Sequence, residues 1–152
     1  MSSRDKGASD ETQALGTYVK LVRASQTLLA VVARRVAAVG LTQSQFGVLE
    51  TLYHLGPMSQ RMLGRKLLIS GGNVTMVVGN LERRGLIARR RRAEDARVMD
   101  VSLTPKGRRL IARLFPQVAR LLVARMAALG AREQAQLGRL ARKLGRAAAE
   151  LD

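Results

Sequence analysis

Residues 69–107 read ISGGNVTMVVGNLERRGLIARRRRAEDARVMDVSLTPKG and combine a short amphipathic helix with a charged β-hairpin. Ser70 is a good N-cap, and Gly85 is suited to the left-handed conformation that ends many helices. Strands are predicted at 87–91 and 98–103, with a turn at 93–96 between them. The buried side of the helix is predicted from apolar residues at three- and four-residue steps: Val74, Val77, Val78 and Leu81.

A short helix followed by a cationic hairpin is typical of a winged helix-turn-helix, in which the helix enters a groove of double-stranded DNA. Upstream, Thr42 and Gln45 have the spacing of a capping box, and Gly56–Pro57 ends the helix that they begin. Ser59 is predicted to cap a third helix, with three residues facing inward: Met62, Leu63 and Leu67. The winged helix-turn-helix domain is therefore predicted at residues 41–104.

Long helices are predicted on both sides of this domain. Apolar residues from Leu15 to Val36 recur at helical spacing up to Gly40. Thr104–Pro105 is a helix start, and Pro116 is expected to kink the helix that follows. Gly130 precedes a last helix with one apolar stripe, formed by Leu137, Leu140, Leu144 and Leu151. Residues 1–10 are polar and are predicted to form a disordered tail. The predicted fold class is mainly α with a small β-hairpin wing.

The flanking helices, residues 11–40 and 105–152, are apolar on one face, and the small winged domain can cover little of that surface. A second copy of the chain would bury it. We therefore predict a homodimerisation region, with the two recognition helices presented to one pseudo-palindromic site.

The composition narrows the function. Lys and Arg total 27 against 11 Asp and Glu, a net charge of +16 that attracts polyanions. Charge alone leaves nucleic acid, an anionic membrane and an acidic protein open. There is no Cys, and His54 is the only His, which excludes thiol chemistry and multi-histidine metal sites. No apolar run approaches the ~20 residues that span a bilayer. We expect no enzyme activity, no cofactor, no metal, no membrane partner and a cytoplasmic location.

Residues 41–107 resemble the MarR family, the multiple-antibiotic-resistance-type regulators. The matching segments are LTQSQFGVLETLYHLGPMSQ, SGGNVTMVVGNLERRGLIARR and EDARVMDVSLTPKGRRL. The resemblance implies an obligate homodimer, a winged helix-turn-helix in each protomer, and repression relieved by a small anionic ligand. Two positions depart from the family pattern. Gly79 stands where many members are acidic, and the wing step Asp95-Ala96-Arg97-Val98 lacks the family's second Asp.

The recognition helix is expected to read bases through side chains near its N-terminal end. Asn can pair with adenine, while Thr and Met can contact the methyl group of thymine. The residues expected at base edges are Asn73, Thr75, Met76 and Asn80. Ser70 is predicted either to cap the helix or to bind phosphate, and Gly71 and Gly72 let the backbone approach DNA closely.

Arginines on both sides of this helix are expected to bind the DNA backbone. On the wing these are Arg89, Arg90 and Arg91, and on the third helix they are Arg61 and Arg65, for which a role as surface charges is equally open. Because strand residues alternate in direction, only part of the wing run can face the phosphates. Arg97, near the hairpin tip, is predicted to enter the minor groove, with Asp95 orienting it or pairing with another Arg.

These observations predict a ligand-responsive transcriptional regulator, a homodimeric repressor released by a small aromatic carboxylate or phenol. The resemblance implies an effector site between the dimerisation helices and the winged domain. Its expected lining residues are Tyr18, Arg23, Ser25, Tyr53 and His54. The alternative function is a sequence-tolerant, architectural DNA-binding protein, which the positive charge would also suit.

Overall fold

A computed structural model describes residues 3–149, with side chains for residues 9–149. Over these residues the chain forms six helices and three short strands. In chain order they are α1 (Ser3–Ala37), α2 (Gln43–Leu55), β1 (Met58–Ser59), α3 (Gln60–Leu67), α4 (Gly71–Arg83), β2 (Ile87–Arg91), β3 (Met99–Leu103), α5 (Pro105–Met126) and α6 (Ala131–Ala149). The predicted fold class is confirmed: the protein is mainly helical and has a small antiparallel sheet.

The predicted helix starts are confirmed by the capping hydrogen bonds. Thr42 and Gln45 form the capping box of α2, with both reciprocal bonds present. Ser59 and Ser70 accept backbone N–H groups at the starts of α3 and α4, and Thr104 does so for α5. Each bond satisfies a donor that the first helical turn leaves without a partner, so these residues define where the helices begin.

The first helix is longer than predicted. It begins at Ser3, so most of the segment expected to be a disordered tail, residues 1–10, is helical in the structure. The physical reason is that extending an existing helix adds one hydrogen bond per residue and needs no apolar side chain. Met1 and Ser2, like Leu151 at the other end, lie outside the described residues.

The sheet has the strand order β1-β3-β2, and all neighbours are antiparallel. The hairpin register pairs Ile87 with Leu103 and Arg91 with Met99. The sequence did not predict β1, whose two residues pair with Val101 and Asp100. This third strand ties the start of α3 to the base of the wing.

One buried core holds α1 to α5 and the sheet together. Each of these five helices and the sheet contributes at least one fully buried side chain, including Val36, Leu49, Leu63, Val78, Val101 and Ile111. The predicted buried side of α4 is confirmed. Met62, predicted to face inward, is instead 45% exposed, because it lies about 100° around α3 from the buried Leu63.

The terminal helices keep much of their apolar surface exposed. Residues with exposed apolar side chains include Leu15, Leu29, Val123, Leu137, Leu140 and Leu144. α6 has no buried residue at all among those described. Within the described chain no single helix meets the length and hydropathy expected of a membrane span, although α5 and α6 meet them as a pair bent by 105°.

Gly107 fixes the junction between the wing and α5. It is buried in the first turn of α5, directly against the backbone of Leu86. Two hydrogen bonds close the same junction, from Thr104 N–H to Leu86 O (3.1 Å) and from the Thr104 hydroxyl to Gly85 O (2.7 Å). Only a residue without a Cβ allows this approach of the two backbones.

Candidate nucleic-acid interface

The α4 helix has one buried side and one exposed polar side. Its exposed side carries Asn73, Thr75 and Met76, of which Met76 is 59% exposed although it is apolar. Gly71 and Gly72 are exposed and have open space where a side chain would lie. The first two turns of α4 therefore present a surface that a DNA groove can approach.

The hydrogen bonds of the first turn limit what each side chain can offer. The Ser70 hydroxyl accepts from Asn73 N–H at 3.4 Å, so Ser70 acts as the helix cap. The Thr75 hydroxyl donates to Gly71 O and accepts from Gln60 Nε2, both at 2.9 Å. Because its single proton is used within the helix, Thr75 offers its methyl group and one remaining acceptor site to a partner. The side chain of Asn73 is exposed.

Asn80 lies at the C-terminal end of this face of α4. It is one turn beyond Met76 and two turns beyond Asn73, it is half-buried, and its side-chain oxygen accepts from Arg83. One of its acceptor sites is therefore already used, and its place at a base edge stays a prediction.

Two predicted phosphate contacts lie beside the start of α4. Arg61 and Arg65 are exposed on α3 and line a shallow groove of about 360 Å³, which Gly71 and Leu68 also line. Leu68 forms the turn between the two helices, with φ of 53° and 92% of its surface exposed. The groove thus joins two cations to a helix N-terminus, and both attract phosphate.

The wing arginines divide into two sets. Arg90 and Arg91 are exposed, and Arg91 donates to Ala96 O at 3.1 Å across the hairpin loop. Arg89, in contrast, is half-buried and binds the Glu82 carboxylate through Nε (2.8 Å) and Nη2 (2.5 Å). The guanidinium of Arg89 therefore holds the wing against α4, and its contact with DNA stays a prediction.

These ion pairs lower the pKa values of three carboxyl groups, that of Glu82 on α4 and those of Asp95 and Asp100 on the wing. The Arg89 side-chain hydrogen bond holds the pKa of Glu82 below its ordinary value. The backbone N–H of Arg97 and then its side chain lower the pKa of Asp95, and the Arg92 hydrogen bond lowers that of Asp100. Near neutral pH all three carboxylates are therefore ionised, and they fix the arginines that they bind.

The hairpin tip presents Arg97. Asp95 Oδ1 accepts from Arg97 N–H at 3.0 Å and from its Nε at 3.1 Å. The Arg97 side chain is nevertheless 92% exposed. The structure confirms that Asp95 orients Arg97, and it leaves the outer nitrogens of the guanidinium available.

The five residues expected to line an effector site do not meet in the protomer. Tyr18 and Arg23 are exposed at different levels of α1, and the Ser25 hydroxyl donates to Val22 O. Tyr53 and His54 do lie together, with ring centres 5.1 Å apart, and His54 packs edge-to-face on Phe115 at 4.5 Å. The five residues therefore form no common site within the described part of one protomer, and an effector site built from all five stays a prediction.

A cavity larger than the groove beside α4 lies between α1, α2, α3 and α5. Its volume is about 640 Å³, and its walls include Leu29, Phe46, Glu50, Leu67, Phe115 and Val118. None of the five predicted residues lines it, although Phe115 joins it to His54. It lies between a terminal helix and the winged domain, which is the place that the resemblance implied.

Two contacts of this surface had no signal in the sequence. Gln60 meets Thr75 across fifteen residues, and Arg84 meets Gly40 O at 2.8 Å across forty-four. Both join residues of different structural elements that are far apart in the sequence, so neither periodicity nor local spacing indicates them.

The exposed side of α4, the α3 arginines and the cationic hairpin define a winged helix-turn-helix DNA-binding protein. A family model described as MarR family matches residues 41–99. The HTH-type transcriptional regulator YkoM of Bacillus subtilis is 36% identical over 106 residues, which are 70% of this chain and 69% of YkoM. The chain belongs to the MarR family and is a transcriptional regulator, not an enzyme.

Solved structures agree with this assignment. BpsR of Bordetella bronchiseptica superposes with a TM-score of 0.77 and 28% identity, covering 86% of this chain and 98% of BpsR. PcaV of Streptomyces coelicolor superposes with a TM-score of 0.72 and 30% identity, covering 87% of this chain and 91% of PcaV. The similarity therefore extends beyond the winged domain into the terminal helices.

Proposed function

We propose that this protein is a cytoplasmic, homodimeric repressor that binds a pseudo-palindromic operator and is released by a small hydrophobic, aromatic effector. The observation that carries the DNA-binding part is the groove that brings Arg61 and Arg65 of α3 against the start of α4. The exposed polar side of α4 and the exposed Arg97 at the tip of the wing support it. Asn73, Thr75 and Met76 read bases, while Arg61, Arg65, Arg90 and Arg91 bind the backbone.

The proposed dimer is supported by the terminal helices. The side chains of Leu137, Leu140 and Leu144 on α6 are between 42% and 56% exposed. They lie at helical spacing on one face, so a second copy can cover them together. Pairing through these helices leaves both α4 helices free to enter successive major grooves, ~10 bp apart. Light scattering tests this directly: a mass near 16.6 kDa in mild buffer would exclude the dimer.

The proposed effector site is the 640 Å³ cavity between the terminal helices and the winged domain. In BpsR, DNA binding is regulated by 6-hydroxynicotinic acid, and PcaV has been solved in complex with its natural ligand. The cavity volume suits a molecule with one or two rings, and its apolar walls suit an aromatic one. The aromatic part of the effector prediction is kept. The anionic part rested on the family resemblance and on Arg23 and His54, and neither of these two residues lines the cavity.

The test of DNA recognition is selection of genomic fragments by the purified protein, followed by competition against random duplex at physiological salt. A repressor should prefer its operator by ~10³-fold or more. Equal affinity for operator and random DNA would instead favour the architectural alternative. Asn73→Ala should cost ~1–3 kcal/mol on the operator and much less on random duplex. Equal losses on both would show that Asn73 contacts only the backbone.

A further inference from the structure

The proposed effector cavity has an unusual distribution of charge. Of its fourteen lining residues only Gln43, Ser44 and Glu50 are polar, and Glu50 is the only charged one. Among residues 9–149, no Lys, Arg or His lines it, although the full sequence carries 27 Lys and Arg residues. The cavity is therefore a locally acidic site in a strongly basic protein.

Glu50 has no partner of its own. It is half-buried on α2, and in residues 9–149 it makes neither an ion pair nor a side-chain hydrogen bond. Of the other acidic residues of the winged domain, Glu82, Asp95 and Asp100 are each paired with an arginine, and Glu94 is exposed on the hairpin loop. A carboxylate that is partly removed from water and left unpaired is stabilised by a cation that enters beside it.

The walls around Glu50 also suit a cation. Gly47, three residues earlier, lines the same cavity and lets Leu67 pack closely on α2, since a Cβ at Gly47 would lie 3.2 Å from Leu67 Cδ2. Phe46 and Phe115 both line the cavity, and the face of an aromatic ring attracts positive charge. Gln43 and Ser44 lie about 10 Å away along α2, where they can bind a neutral polar group at the far end of a ligand.

We propose that the cavity selects hydrophobic cations, namely aromatic or alkyl amines and quaternary ammonium compounds, with the positive group at Glu50 and the apolar body against α5. This inference rests on the proposed function, because it assigns a charge class to the same effector site. It reverses the expectation of an aromatic carboxylate, since a carboxylate in this cavity would face Glu50 with no cation beside it.

The experiment uses three probes that share one ring system and differ in charge: 2-naphthylmethylammonium, 2-naphthylmethanol and 2-naphthoate. Each is titrated into the full-length protein by calorimetry, without DNA. The ammonium should bind at least about tenfold more tightly than the naphthoate, because one is attracted to Glu50 and the other is repelled. Glu50→Gln, which keeps the side-chain shape, should bring the two affinities together. Glu50→Lys should reverse the order. Glu11→Gln, the same change on an exposed part of α1, should leave the preference unchanged.

The outcomes distinguish a failure of the charge assignment from a failure of the proposed effector cavity. If naphthoate binds the wild-type protein more tightly than the ammonium, the charge assignment is wrong while the effector cavity stands. If the ammonium is preferred and Glu50→Gln keeps that preference, Glu50 is not its source and the inference is also wrong. If none of the three probes binds, the cavity is not an effector site for aromatic molecules, and both proposals are wrong.

Discussion

Replacing Gly107 with alanine adds one methyl group at the junction of the wing and α5. A Cβ built on Gly107 would lie 1.9 Å from Leu86 O and 2.8 Å from Leu86 C. Ordinary van der Waals contact begins at 3.4 Å, so the first turn of α5 must move away from Leu86 by about 1.5 Å. Neither obstructing atom can rotate aside, because both belong to the backbone.

The cost follows from what that movement breaks. The hydrogen bonds from Thr104 to Leu86 O and Gly85 O close the same junction, and each contributes ~1 kcal/mol. Overpacking of the buried site adds ~1–3 kcal/mol. We therefore expect Gly107→Ala to lower the free energy of unfolding by ~3–5 kcal/mol. For a chain of this size, 3 kcal/mol corresponds to a fall in Tm of roughly 6–12 °C.

The assay is urea denaturation followed by circular dichroism at a fixed protein concentration, since a proposed dimer makes stability depend on concentration. Gly138→Ala on α6 is the matched control. Its added Cβ meets no atom within 4 Å, so the better helix propensity of alanine should stabilise the protein by up to ~1 kcal/mol. A loss below ~1 kcal/mol for Gly107→Ala would refute the reasoning, since the backbone would then have absorbed the methyl group without breaking the junction.

Arg97→Ala should weaken operator binding by ~1–3 kcal/mol and leave the mass of the protein in solution unchanged. Arg139→Ala removes the same charge far along α6 and should have little effect on operator binding. If both variants lost equal affinity, the effect of Arg97 would come from net charge and not from a contact of the wing. Glu82→Gln should lower stability at pH 7 by no more than ~1 kcal/mol, because the ion pair with Arg89 is partly exposed. Since Arg89 holds the pKa of Glu82 below 4.5 in the folded state, this difference should be complete above pH 4.5 and fade as the pH falls through the lowered value. A difference between the two proteins that persists undiminished in strong acid would contradict the ion-pair explanation.

The sequence predicts best what is determined within a few residues. The caps at Thr42, Ser59, Ser70 and Thr104 each depend on a hydrogen bond to a backbone group three residues away, so the spacing alone indicates them. The buried side of α4 follows from periodicity in the same way. These local signals were sufficient to predict the winged domain and its recognition helix.

Contacts between elements that are distant in the chain could not be predicted from the sequence. Nothing near Arg89 distinguishes it from its three neighbours, and its pairing with Glu82 depends on how the hairpin folds back onto α4. The strand β1 is only two residues long, and its partner strand lies some forty residues away. The effector residues were assigned from residue type, and the structure shows that position along α1 separates Tyr18 and Arg23 from the cavity.

The anchoring of Arg84 has a mechanical consequence. Its guanidinium binds Gly40 O after α1, and its own carbonyl accepts from Lys106 Nζ in the first turn of α5. The C-terminal end of α4 is thus tied to the segment after α1 and to α5, while its N-terminal end packs on α3, where Gln60 binds Thr75 and Val74 is buried. A rotation of α4 about Arg84 therefore has to carry α3 with it. Because the two ends are about 20 Å apart at 1.5 Å per residue, a tilt of about 5° would move the base-reading end by roughly 1.7 Å.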